Sequence, residues 1–271
     1  MDVAHCTLNG ESYTVRQFEG LSEHHVAQLR RFLACPVCAG PAFYRKESTS
    51  GQAACFGARP HTPGCSLAAA EPRYRGGAGP DQVERINSGE RIEIDFVYGA
   101  GPVTHINPND PANPQGRGGR FVGGGSGPRN AVMHRRLSTL LKNLMHSDGF
   151  RNSDQLIAMP AGEFRVRNFF VEFSDIDGSH ERAYRGYWGM ISDAKGDGGG
   201  SLWLNSGGRD DVSIVIPNEL VNVFAQRFNV DDIEELAGAY ALFLGELKVS
   251  QNGKAYLACN DIQAISVSLA E

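Results

Sequence analysis

The feature that most restricts what this chain can fold into is the crowding of its thiols. Four of its six cysteines fall in the stretch from Cys35 to Cys65, and His61 stands among them. Two cysteines separated by two residues, as in Cys35-Pro-Val-Cys38, can aim both thiolates at one ion. A second pair brought from far along the chain, His61-x3-Cys65 after twenty-two intervening residues, closes a tetrahedron. A segment built this way needs no large core of its own. Five candidates compete for four positions: Cys35, Cys38, Cys55, His61 and Cys65. The compact His61/Cys65 pair makes Cys55 the alternate. The spacing predicts one Zn2+ in a structural role, because a catalytic zinc needs an open position and a general base. No His-Glu-x-x-His and no His-x-Glu…Pro-Cys-x-x-Cys pattern is present.

Around the ligands, Tyr13 to Phe18 alternates weakly as a short strand would. Ser22 to Leu33 carries Val26, Leu29, Phe32 and Leu33 at helical spacing, and Phe43 to Lys46 reads as a strand. The run Leu33-Ala-Cys-Pro-Val-Cys38, followed by Ala54-Cys-Phe-Gly-Ala-Arg-Pro-His61, resembles the N-terminal zinc-binding region of competence-protein-like (CoiA-like) families over about the first seventy residues. In such families the finger can precede a nuclease-like domain. The resemblance therefore implies, as an alternative function, a metal-dependent nuclease of a mobile-element or defence/competence system. Its carboxylates would come from Glu84, Glu90, Glu93 and Asp95 about a strand at Arg91 to Tyr98, although no Asp…Glu-x-Lys constellation accompanies them.

A chain of 271 residues has room for two small domains, and 41% hydrophobic with 21% charged residues is ordinary globular composition. No apolar run approaches the ~20 residues of a membrane helix, so no membrane partner is expected. Met1 to Asn9 lacks a basic segment followed by an apolar one, and a cytoplasmic location is the expectation. Clustered thiols in that reducing compartment are metal ligands rather than disulfides.

The net charge of -5 is uneven: Ala112 to Asn152 carries seven basic residues and one acidic, Ser153 to Glu271 nine basic and eighteen acidic. Any nucleic-acid contact must then be local. Gly99 to Pro128 is rich in Gly, Pro and Asn and reads as a linker or long loop. Its Arg117 and Arg120, with Arg129, can meet phosphates, though no Gly-Lys-Ser/Thr ends the run as a P-loop would. Asn130 to Met145 reads as an amphipathic helix, with Val132, Leu137, Leu140, Leu141 and Leu144 on one face and Arg135, Arg136 and Lys142 elsewhere. Its basic face either lies along a nucleic-acid backbone or is simply solvated.

The last third is the most regular. Strands are expected at Phe164 to Phe173, Tyr184 to Ser192, Ser201 to Asn205 and Val212 to Ile216. A helix follows at Asn218 to Phe228, then a hairpin, Tyr240 to Ser250 with Lys254 to Cys259, and a last extension from Asp261 to Ser268. Three strands, a helix and two strands is the order of an oligonucleotide/oligosaccharide-binding (OB) barrel. Gly186-Tyr-Trp-Gly-Met-Ile191, Leu202-Trp-Leu-Asn205 and Gly245-Glu-Leu-Lys-Val249 with Gly253-Lys-Ala-Tyr256 resemble single-stranded nucleic-acid-binding and tRNA-synthetase anticodon-binding barrels over Arg182 to Val267. The expected fold class is thus mixed α+β: a zinc-binding module over 1–75, a connecting segment with the Gly-rich loop and basic helix over 76–160, and a C-terminal OB-like five-stranded β-barrel over 161–271.

With Leu202 and Leu204 facing a core, Trp203 points outward, ready to stack on a base; Tyr187 and Arg185 would share an outward face of the preceding strand. Lys195, Arg209, Lys248 and Lys254 lie near on loops or edges. No nucleophile arrangement can be assigned, and Asp175, Asp177, Asp210 and Asp211 read as turn residues. The expected function is non-catalytic binding of single-stranded nucleic acid, DNA favoured. A protein-binding adaptor working through the acidic barrel is a further alternative.

Overall fold

The computed structural model describes residues 1–47, 53–68, 91–94, 132–159, 162–208 and 210–269; the side chains of 132–135 lie outside that description. Outside it too fall the glycine-rich stretch with Arg117, Arg120 and Arg129, the carboxylates Glu84, Glu90 and Asp95, and Arg209. The fold is mixed α/β, with one large sheet and few helices among the described residues.

The N-terminal part is built from β1 (Val3–Cys6), β2 (Ser12–Thr14), α1 (Val15–Glu19), α2 (Glu23–Leu29), a 3-10 turn (Arg30–Phe32), β3 (Leu33–Ala34), β4 (Ala42–Arg45) and β5 (Cys55–Ala58). The alternation expected through Phe18 stops early because Thr14 caps a helix. Its hydroxyl accepts from the Gln17 N–H, and the Gln17 side chain accepts in return from the Thr14 N–H at 2.9 Å. The helix expected through Leu33 ends at Leu29, and the chain then tightens and extends. Phe18, Tyr44 and Phe56 meet with ring centroids 4.9 to 5.6 Å apart and fill a small core with Ala4, Cys6, Leu33 and Cys35.

A four-stranded sheet follows in the order β7-β6-β8-β9, from β6 (Arg91–Ile94), β7 (Val132–Arg135), β8 (Leu156–Met159) and β9 (Gly162–Arg165). Its strand β6 pairs in parallel with both β7 and β8. Val132 to Arg135, expected as the first turn of a helix, is a strand, and α3 (Leu137–His146) begins only after an extended Arg136. After α4 (Asp148–Arg151) and β9, the strand expected from Phe164 to Phe173 is interrupted by α5 (Val166–Phe169), which buries Val166 and Phe169 at one-turn spacing. Leu140, Leu141, Leu144, Ile92 and Ile157 are completely or almost completely buried, in a core this middle stretch shares with Trp188, Tyr240, Leu242 and Leu244 of the large sheet and with Phe43.

The large sheet runs β10 (Phe170–Glu172), β11 (Tyr184–Met190), β15 (Tyr240–Val249), β16 (Ala255–Ala258), β14 (Ser213–Ile216), β13 (Leu202–Asn205), β12 (Asp193–Gly196), with β17 (Ile265–Ser268) also on β15. The strands β14 and β16 pair in parallel, and the other pairs along β11 to β12 are antiparallel. Only Ile191 and Ser192 separate β11 from β12, the two strands whose partners lie at opposite sides of the path. The helix α6 (Asn218–Phe228) follows β14, closes on Asn229 in the left-handed conformation, and buries Phe224 against Phe228.

Both faces of β11 and β15 are covered. Trp188 beside Leu242 faces the middle unit's core, while Tyr187 beside Phe243 faces a second core with Ile214, Leu204 and Phe224. Tyr187 is therefore 0% exposed, and its hydroxyl donates to the Ala183 carbonyl at 2.8 Å. The expectation of an outward Tyr187 is corrected: alternation fixed its face, but no face of this strand is free.

The N-terminal part is fastened to the large sheet by buried charge. Arg30 lies 3.2 Å from Asp193 Oδ1, donates to Glu234 at 2.8 and 3.1 Å and to the Tyr44 carbonyl at 2.9 Å, while Arg31 donates to Asp193 Oδ2 at 3.0 Å. Burial alone would push Arg30 towards neutrality; Glu234 and Asp193 outweigh it and raise its pKa. Phe32 lies against Gly208 and Phe43 against Gly238, where any side chain would collide with the rings. Removing one partner from a buried network strands the others, so Asp193→Ala should cost roughly 3–5 kcal/mol, read as a lowered urea midpoint at pH 7.

Candidate functional site

Among the described residues, the group that can hold a metal ion is Cys35, Cys38, His61 and Cys65, whose ligand atoms all lie within 4.8 Å of one another. Local backbone geometry makes it. The Cys35 carbonyl accepts from the Ala39 N–H at 2.9 Å and the Cys35 N–H donates to Gly40 at 2.8 Å, which curls the chain into a knuckle with both thiols inside. Gly40 is obligatory there, since a Cβ would stand 2.5 Å from the Pro60 carbonyl oxygen and 3.3 Å from Cys38 Sγ. A second turn, with the Cys65 N–H on the Thr62 carbonyl at 3.1 Å, brings His61 and Cys65 to the same point. The hairpin of β4 and β5 sets the two turns side by side.

The distances suit a tetrahedral ion. Cys35 Sγ and Cys65 Sγ stand 3.9 Å apart, and Cys38 Sγ is 3.3 Å from His61 Nδ1. With metal–sulfur bonds of about 2.3 Å, two thiolates on a tetrahedron are about 3.8 Å apart. The backbone groups of Thr62 and Gly40 hydrogen-bond Cys38 and lower its thiol to about 5, while burial raises that of Cys65. Cys38 is thus the more acidic of these two thiols. Cys55, the alternate ligand, is exposed at the start of β5 and is not in the group.

The second candidate lies on the outer side of the large sheet. Alternation along β13 buries Leu202 and Leu204 and turns Trp203 out. In register with it, Lys195 on β12, Val215 on β14 and Ala258 on β16 continue one row. Tyr256 shares that face two residues before Ala258 and pairs with Lys248 on β15. Shallow grooves flank the indole. Tyr256, Asn252 and Lys254 line one, and Arg31, Lys195, Asn205 and again Lys254 the other. The Trp203 Nε1–H donates to Asp197 Oδ2 at 3.0 Å, and that bond, with backbone N–H groups of the 199–201 turn, keeps Asp197 below the usual carboxylate range. Lys254 is half-buried; its ammonium donates to the carbonyls of Gly208 and Asp211, and desolvation followed by the nearby Arg31 charge lowers its pKa.

Trp203, Lys195, Lys248 and Lys254 are brought to one face, Lys195 and Lys248 within strands rather than on loops, and Tyr187 is not on it. Arg185 is half-buried over the Phe164 ring, with its guanidinium carbon 5.4 Å from the centroid. Arg136 is exposed where α3 begins, away from this row along the chain, and the Arg135 side chain, Arg117, Arg120 and Arg209 lie outside the described residues. Sequence reasoning missed Tyr256 and Arg31. The same period of two that turns Trp203 outward would have found Tyr256 from Leu257; nothing local signals Arg31. Asp175 and Asp177 are turn residues, as read, the latter accepting from the Ser179 N–H at 2.9 Å. No known protein family matches this chain, and neither does any curated protein. No helix among the described residues is long and apolar enough to cross a membrane.

Protonation of Cys38 tests the site's electrostatics. Its thiol is held below the ordinary 9.0, so the thiolate persists as pH falls until about 5. In metal-free protein, alkylation of Cys38 followed by peptide mass spectrometry should stay level from pH 9 towards 6 and drop through 5. Whatever stability the thiolate lends metal-free protein is lost over that same descent, from 9 down through 5.

Proposed function

We propose that this protein is a non-catalytic binder of single-stranded nucleic acid, DNA favoured, whose binding face is the Lys195–Trp203–Val215–Ala258 row with Tyr256. That row is the observation that carries the reading. Aromatic rings on a sheet surface accept bases of any sequence, and flanking cations meet the phosphates between them. Lys195, Lys248, Lys254 and Arg31 stand around two partly exposed rings, on a domain whose overall charge is otherwise acidic. Local charge of this kind favours a short contact over broad electrostatic coating.

In this reading the large sheet is an OB-like five-stranded barrel. Strand β11 continues into β12 as one bent strand, so the two sides of the path meet; β13 and β14 are the second and third strands, α6 follows, and β15 and β16 complete it. The parallel pairing of β14 with β16 supports that closure, and the OB ligand face lies on its second and third strands. The ion of the Cys35/Cys38/His61/Cys65 site is Zn2+ in a structural role, since three thiolates and an imidazole fill a tetrahedron and leave no position for water.

Fluorescence-anisotropy titrations with labelled single-stranded DNA, single-stranded RNA and duplex DNA at two salt concentrations test the reading. Single strands should bind more tightly than duplex, affinity should fall with salt, and Trp203→Ala should lose about 1–3 kcal/mol of binding. Absence of binding to all three overturns it in favour of a protein-binding adaptor. Metal analysis should find zinc that survives Cys55→Ser and is lost in the Cys35→Ser/Cys38→Ser double variant, with unfolding of the N-terminal part.

A further inference from the structure

We infer that the groove on the Lys195 side of Trp203 contains a phosphate subsite assembled across the junction, from Arg31 of the metal-bearing module together with Lys195 and Lys254 of the large sheet. It rests on the proposed nucleic-acid face and deepens it, giving a base stacked on Trp203 a fixed place for its neighbouring phosphate. Three cationic side chains line one shallow groove, and each reaches it from a different element. Arg31 is held rather than free. Its Nε and Nη2 both meet Asp193 Oδ2, at 3.0 and 2.9 Å, while Nη1 makes no bond to a described residue. A guanidinium fixed in this way loses little freedom when it accepts an oxyanion.

Of the acidic groups nearby, Asp197 itself lines the groove and exposed Asp210 favours the charged form of Lys254, while the carboxylates of Asp193, Asp197 and Asp211 are taken up by other donors. Asp193 has a side chain 5% exposed and is shared with Arg30 and Asn205. Asp197 takes the Trp203 Nε1–H and the N–H groups of Gly199 and Ser201. Asp211 accepts the Gly208 N–H at 2.6 Å, and Lys254 donates to the carbonyls of Gly208 and Asp211 rather than to a carboxylate. Lys195 is exposed and makes no ion pair among the described residues. Burial first, and then the neighbouring Arg31 charge, disfavour the charged form of Lys254, and an incoming dianion offsets both.

The first arm of the test uses inorganic pyrophosphate alone, added at low salt to the metal-loaded full chain while the arginine Nε–Hε signals are followed by NMR. A saturable shift of the Arg31 signal is expected in wild type, and affinity should fall roughly tenfold in Lys195→Ala, a variant of an exposed side chain that leaves the fold intact. Arg31→Gln should abolish the subsite. No saturable shift in wild type, or unchanged affinity in Lys195→Ala, overturns the subsite. The second arm measures the salt dependence of oligothymidylate binding. Loss of one phosphate contact should shrink the log–log slope by about 0.7 in each variant. Pyrophosphate binding without oligothymidylate binding leaves the subsite standing and sinks the nucleic-acid reading. Oligothymidylate binding with an unchanged slope in both variants does the reverse.

Discussion

Everything that gives this molecule a single shape passes through the charges buried between its ends. Arg30 reaches Asp193, Glu234 and the Tyr44 carbonyl at once, and Arg31 shares Asp193. A guanidinium in a nearly dry setting is tolerable only beside compensating charge, and Arg30 has two carboxylates and a carbonyl around it, so the network favours the placement of N-terminal part and sheet that keeps those partners together. Apolar contacts such as Phe43 on Gly238 add attraction but far less direction. The same network puts Arg31 at the edge of the Trp203 groove, so the anchor and the lining of that groove draw on adjacent residues of one short turn.

Much of the metal centre was legible because its chemistry is local. Cysteines at this spacing can aim both thiols at one ion, and the knuckle around Cys35 to Gly40 is closed by hydrogen bonds within six residues. The strands Leu202–Asn205 and Tyr240–Val249, the latter an apolar run ended by the Gln251-Asn-Gly253 turn, and the helix Asn218–Phe228 announced themselves for the same reason.

Illegible features depended on residues distant in sequence. Nothing local marks Arg30 or Asp193, since their pairing spans more than half of the chain. Asp193, Lys195 and Gly196 have poor strand preference, and only pairing with Leu202–Asn205 draws them into β12. Val132 fitted a helical pattern until β6 supplied an extended partner. Tyr187 shows the limit of periodicity most clearly: alternation says which residues share a face, but whether that face meets water depends on the layer that covers it.

The parallel pairing of β6 with β7 and β8 also joins segments far apart in the chain. The hairpins β4–β5, β12–β13 and β15–β16 join segments close in sequence, whereas β6 must find two partners across long stretches of chain before any apolar surface at Ile92 is buried. Closing such loops costs entropy ahead of the contacts that compensate it. The face of β11 and β15 that carries Trp188 and Leu242 is covered by a cluster that includes Ile92 on β6 and Leu140 on α3, so this part of the core is complete only when segments distant in sequence have met.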